Sequence, residues 1–207
     1  MIKATLKSLI AIITLFVAFG ATHVYKHSLS YDAPRSYTYQ LVSNHGAGSA
    51  VMIAHNLGIT AAHVTGPMGD GFTMAGKPIK VLRYDDKLDL TLFEVDITCP
   101  CAPLGSLPEE DSFLIAVGYP LGVGQYVTEG RMQTIHLADI KLETTVPIMF
   151  GNSGGGLYAF QDWQWKLVGI MSQVHGTNLG FFGVPVPTMS RAVPITNILE
   201  FIHRKPK

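Results

Sequence analysis

Three short segments carry residue types suited to nucleophilic chemistry. Gly151-Asn152-Ser153-Gly154-Gly155-Gly156 sets a serine among glycines. A serine hydroxyl is a weak nucleophile by itself, but flanking glycines free the backbone for a tight turn whose N–H groups can face a developing oxyanion. Alone, the segment reads equally well as a glycine-rich turn. Upstream, Thr60-Ala61-Ala62-His63-Val64 follows the apolar run 48–53, and its small alanines let the backbone pack closely while the imidazole projects as a potential general base. Seven other histidines compete with it. His23 and His27 lie in or beside an N-terminal apolar segment, His203 at the tail, His45 and His55 in turns, and His136 and His175 after strands without a comparable context. The third segment is Leu88-Asp89-Leu90-Thr91-Leu92. Alternation along a strand puts the leucines on one face and Asp89 on the other, so a carboxylate stands at the start of an apolar strand. Burying it unpaired is costly, and an imidazole to orient would satisfy it.

The elements that must position these groups are short runs of Val, Ile, Thr and aromatics separated by Gly, Pro, Asn and Asp, the signature of an all-β sandwich or barrel. Strands are expected at 37–42, 49–54, 58–60, 79–84 and 90–95, then at 113–118, 126–135, 140–145, 155–159, 166–171 and 181–186. Between the two sets, residues 99–111 hold three prolines and the cluster Glu109-Glu110-Asp111, which reads as a linker. Ile195, Ile198, Leu199 and Ile202 recur at helical spacing, predicting an amphipathic helix over 195–203.

The chain of 207 residues has 47% hydrophobic and only 14% charged residues, with 15 basic against 15 acidic side chains. That excludes intrinsic disorder and, with no Lys/Arg stripe, gives no nucleic-acid partner. Neutrality is a sum of unlike parts: residues 1–35 carry net +3, residues 36–203 net −6 and residues 204–207 net +3. Lys3 and Lys7 precede the uncharged run 8–25, a targeting pattern whose orientation sends the remaining chain across the membrane. Two fates fit: retention as a membrane anchor helix, or cleavage as a signal peptide near Ala18-Phe19-Gly20. The body is then membrane-anchored outside the cytoplasm, or secreted or periplasmic. Cys99 and Cys101 are a weak ligand set, read as free or externally paired thiols, and no other motif implies a metal or cofactor.

In its ordered motifs the sequence resembles the trypsin-like, chymotrypsin-fold serine peptidases, and more closely the HtrA-like branch. The resemblance spans about residues 47–202 and rests on Thr60-Ala61-Ala62-His63, Asp89-Leu90 and Gly151-Asn152-Ser153-Gly154-Gly155 in that order. Gly118-Tyr119-Pro120-Leu121-Gly122, Val127-Thr128-Glu129-Gly130, Val168-Gly169-Ile170 and Gly183-Val184-Pro185 support it. It implies two antiparallel six-stranded β-barrels, the first at about 36–101 and the second, with the C-terminal helix, at about 112–207, joined by a linker at about 102–111. It also implies that His63, Asp89 and Ser153 form a catalytic triad without a cofactor, and that the N–H groups of Gly151 and Ser153 form the oxyanion hole. Protein or peptide substrates are the expected partners.

For specificity, the resemblance puts Ser172, Gln173 and Val174 on the strand that pairs with substrate, with Ser172 also supporting Asp89, and Pro147 at the base of the primary pocket. No acid stands there, so cleavage after Lys or Arg is not expected; with Val174 flanking the pocket, its branched side chain would narrow it and favour small or medium apolar residues, and a reading of acidic or amide side chains by His175 is the alternative. Asn152 stands where activated relatives carry an acid, so zymogen activation through a new N-terminus is not expected. No PDZ module is expected after the helix, and the spacings of 26 and 64 residues between the triad members imply compact loops. The competing function is a catalytically silent protease fold that binds peptides.

Overall fold

The computed structural model describes residues 30–204 apart from 45, 70, 99, 137–140 and 180–181, and side chains within that range apart from 136 and 174–188. The expected N-terminal signal or anchor helix, Cys99 and the side chains of Val174 and His175 therefore lie outside the described residues. Among those described, no helix is long and apolar enough to cross a membrane.

A short helix, α1 (Asp32–Tyr37), leads into β1 (Thr38–Ser43), β2 (Gly46–Ala54) and β3 (Leu57–Thr60). The helical turn α2 (Ala62–Thr65) follows, then β4 (Thr73–Met74), β5 (Lys77–Pro78), β6 (Lys80–Asp85) and β7 (Leu90–Glu94). These strands form one antiparallel sheet in the order β5-β4-β1-β2-β3-β7-β6. The expectation of a closed six-stranded first barrel needs correction: this is an open, seven-stranded half-barrel. Its outermost strands, β5 and β6, are separated in the chain only by Ile79, so the edges meet through the chain and not through a hydrogen-bonded ladder. Leu41, Ala50, Met52, Met74 and Phe93 are fully buried on its concave side. Burial of a Leu, Met or Phe stabilises by about 1.5–3 kcal/mol each, which is what curls the sheet around them.

The second half closes. Strands β8 (Phe113–Gly118), β9 (Tyr126–His136), β10 (Lys141–Thr144), β11 (Gly156–Gln161), β12 (Gln164–Leu179) and β13 (Phe182–Pro194) form a barrel in the order β10-β13-β12-β11-β8-β9. Leu114, Leu142, Leu157, Val168, Met171 and Ala192 fill it. Strands β12 and β13 run well past the expected 166–171 and 181–186, pairing as far as Leu179 with Phe182. Helix α3 (Ile195–His203) buries Ile195, Ile198 and Phe201, so the apolar face is completed by Phe201 while Leu199 and Ile202 are half-buried. Arg83 of β6 stacks on the Phe201 ring and donates to the carbonyl oxygens of Phe201 and Ile202, two of the acceptors that a helix end leaves unpaired. Arg204 pairs with Asp85 at 2.9 Å, and together these contacts fasten α3 to the first sheet.

Candidate active site

His63 enters from α2, a four-residue turn too short to persist in isolation. Fully buried Ala61 and Ala62 seat it, Gly66 at φ 63° ends it, and Thr65 Oγ1 donates to Thr91 Oγ1 of β7 at 3.0 Å. The ring is left half-exposed beside a largely buried carboxylate.

That carboxylate belongs to Asp89, which is not on the alternating strand the leucine pattern predicts. It ends the turn between β6 and β7 at φ 60°, a left-handed conformation that aspartate tolerates better than most residues. Asp85 opens the turn, its Oδ1 accepting the N–H groups of Lys87 and Leu88 at 3.1 and 3.0 Å. Alternation fails beyond it too, because Leu90, Thr91, Leu92 and Phe93 are all buried. Asp89 Oδ1 accepts the backbone N–H of His63 at 3.0 Å, and His63 Nδ1 lies 2.9 and 3.0 Å from the two carboxylate oxygens. Burial pushes the Asp89 carboxyl up, but hydrogen bonds from His63 and Ser172, with the attraction of His63, outweigh it and hold the group below its ordinary value. An ionised carboxylate only accepts, so Nδ1 carries the imidazole proton and Nε2 is left as the basic nitrogen.

Ser172 is buried on β12, and its hydroxyl donates to Asp89 Oδ2. Behind it, buried Lys141 of β10 donates from Nζ to Ser172 Oγ at 3.3 Å and to the carbonyl oxygen of Leu88 at 3.1 Å. Nothing in the sequence singles out Lys141, which reads as an ordinary strand-end lysine.

The serine turn is held by its backbone. Gly151 at φ 95° and Gly154 at φ 82° take left-handed conformations. A Cβ on Gly154 would lie 2.0 Å from Thr60 Oγ1 and 2.1 Å from the Ser49 carbonyl oxygen, so only glycine fits. Ser49, fully buried on β2, joins the halves: its N–H donates to the Ser153 carbonyl oxygen at 2.8 Å, its hydroxyl donates to that of Gly151 at 2.7 Å, and its Oγ accepts the Tyr119 N–H at 2.9 Å. The Phe150 carbonyl oxygen accepts the Leu121 N–H at 2.7 Å. Across a trans peptide this turns the Gly151 N–H to the opposite side. Among the described residues, neither the Gly151 nor the Ser153 N–H is spent on a hydrogen bond.

His63, Gly151 and Ser153 border one cavity of about 580 Å³, whose apolar walls include Val64, Pro67, Met68, Phe72 and Phe150. No hydrogen bond joins Ser153 to His63 among the described residues. Pro147 instead lines a separate apolar cavity of about 310 Å³ with Leu121, Val123, Tyr126, Met149 and Asn152. Gln173 is exposed and stands opposite Arg191, and Val174 opposite Ser190, in the β12–β13 ladder. Sequence reasoning missed Ser49 and Lys141, whose partners lie 102 and 31 residues away and leave no local pattern.

A two-part β fold with a histidine–aspartate pair facing a serine turn defines a class, and comparison with known proteins gives its family. The trypsin-like peptidase domain family matches residues 48–170. The chain belongs to that family, and the curated relatives it resembles are described as DegP-like serine endoproteases. It is 31% identical over 125 residues to a probable periplasmic serine endoprotease, DegP-like, of Pseudomonas fluorescens, covering 56% of this chain and 25% of that one. A protein of the same description from Buchnera aphidicola is 31% identical over 100 residues, covering 43% and 20%. The chain thus spans a quarter or less of the length of these relatives. The crystal structure of a serine endoprotease from Yersinia pestis superposes with a TM-score of 0.69 at 21% identity, covering 84% of this chain and 65% of that one, which fixes the fold.

Proposed function

We propose that the chain is a serine endopeptidase that cleaves extracytoplasmic proteins through an acyl-enzyme. The observation that carries this reading is the His63–Asp89 pair, bonded at 2.9 and 3.0 Å, on the same cavity as Gly151 and Ser153. Ser153 Oγ attacks the peptide carbonyl as His63 Nε2 takes its proton. The oxyanion is held by the N–H groups of Gly151 and Ser153, an interaction of about 3–4 kcal/mol per donor in comparable sites. The imidazolium, stabilised by Asp89, passes the proton to the leaving amine; water then attacks the acyl-enzyme as His63 takes its proton, and that proton returns to Ser153 Oγ as the acid leaves. Bonds of this kind often tighten only around substrate, so the unbonded Ser153 of the free protein fits this order of events.

Substrate binds by strand addition along Ser172, Gln173 and Val174. The β11–β12 ladder stops at Gly156 and Ile170, leaving Gln173 and Val174 paired on the β13 side only, with Ser172 at the irregularity before them, an edge that suits an extended peptide. The apolar cavity lined by Pro147, Leu121 and Met149 favours small or medium apolar residues before the scissile bond. Because His63 protonates the amine, the cavity beyond it receives the residues after the bond, and its walls suit apolar ones. Residues 36–207 form the peptidase domain, and residues 1–35 serve as anchor or signal. The periplasmic description of the relatives supports placement outside the cytoplasm.

Incubation with a diverse peptide library, read by mass spectrometry, tests this. Ser153-dependent cleavage after apolar residues is expected. Dominant cleavage after Lys or Arg contradicts the pocket assignment, and binding without cleavage favours the silent peptide-binding alternative.

A further inference from the structure

We infer that Lys141 is a positioning residue that sets the polarity and placement of the His63–Asp89 pair. The inference rests on the protease reading above for its effect on turnover, but its geometry stands on separate observations. An ammonium group can only donate. With Nζ directed at Ser172 Oγ, the hydroxyl must accept on that side, and its own proton is left for Asp89 Oδ2. Without the lysine, the same hydroxyl is free to rotate and Asp89 loses a fixed donor.

The second hydrogen bond acts on the backbone. Lys141 Nζ holds the carbonyl oxygen of Leu88, the residue before Asp89, which itself sits at φ 60°. Such a conformation persists in a non-glycine residue only when its surroundings fix it. One buried side chain from β10 of the closed barrel therefore grips Asp89 of the open sheet at two points, its backbone neighbour and its hydroxyl partner. Nearby on the same strand, Glu143 is engaged by Arg191 of β13 at 3.2 Å. Through its hydrogen bonds to Ser172 and Leu88, Lys141 reaches Asp89 without lining the cavity beside Ser153.

The test uses the full chain with Lys141→Met, which keeps the aliphatic stem, Ser172→Ala, and the double variant. Lys141→Met should lower kcat roughly tenfold with KM within about twofold, the size of coupling found between groups in one hydrogen-bond network. The double variant should lose less than the product of the two single losses, because the Ser172 contact is common to both changes and only the Leu88 contact is lost in addition. An unchanged kcat in Lys141→Met, or losses that multiply in the double variant, would overturn the inference. A second readout is the low-field Nδ1 proton resonance of His63, which reports its hydrogen bond to Asp89 without turnover. It should shift or broaden in Lys141→Met while the fold, followed by circular dichroism, is retained; a resonance identical to wild type overturns the inference. If wild type shows no Ser153-dependent reaction with a fluorophosphonate, the protease reading fails, and the His63 resonance still decides the role of Lys141.

Discussion

The two halves of the molecule deliver the proposed catalytic groups by different means. The open first sheet offers His63 and Asp89 from short turns, and side-chain hydrogen bonds fix them to each other and to Ser172. The closed second barrel delivers Ser153 and Gly151 through the backbone of their turn: left-handed glycines, carbonyl oxygens that accept from the Ser49 N–H and hydroxyl, and the Leu121–Phe150 bond. A site part built from side chains is sensitive to changes of donor, acceptor and charge. A part built from backbone is sensitive to any added Cβ.

The largest effect expected is on chemistry. Ser153→Ala should lower kcat by roughly 10⁴–10⁶ and Asp89→Asn by roughly 10⁴ while both proteins stay folded, measured on a peptide ester. Next, Gly154→Ala should destabilise by about 3–5 kcal/mol in urea unfolding, because a Cβ meets the Ser49 carbonyl oxygen and Thr60 Oγ1 in a left-handed backbone. A milder change there would break the contrast. Ser49→Ala should cost about 1–3 kcal/mol by leaving the Gly151 carbonyl and Tyr119 N–H unpaired.

Acid should find the side-chain half first. The folded Asp89 carboxyl is depressed, so its contribution to stability is full above roughly pH 4 and is lost as pH falls through the lower folded value. Asp89→Asn should remove that part of the acid dependence in thermal unfolding followed from pH 6 to 2. The smallest effect lies on the surface of the second barrel, where Asp162 and Trp163 turn the β11–β12 hairpin at φ 50° and 64°, with Trp163 83% exposed. Trp163→Gly should stabilise by about 0.5–1 kcal/mol in the same urea experiment and leave kcat unchanged.

Runs of Val, Ile, Thr and aromatic residues bounded by turn residues located most strands of both halves because such runs are largely buried, and residues 113–118 match β8 end to end. They gave no sign of β4 and β5, since two residues cannot form such a run. The glycines around Ser153 were legible because a left-handed backbone needs them. Asp89 was found by residue type but placed on a strand, because Leu88, Leu90 and Leu92 imitate an alternation that the turn from Asp85 interrupts. Ser49 and Lys141 stayed hidden for a different reason: their roles come from partners far along the chain, several of them, such as Ser153 for Ser49 and Leu88 for Lys141, in the other half.

The most direct measurement of the central claim is active-site labelling with a fluorophosphonate, mapped by mass spectrometry on wild type, Ser153→Ala and His63→Ala. One adduct on Ser153 is expected in wild type, none in Ser153→Ala, and labelling slowed by at least about 10³ in His63→Ala. Equal labelling in wild type and Ser153→Ala, or a folded wild type that takes no label, would contradict that claim.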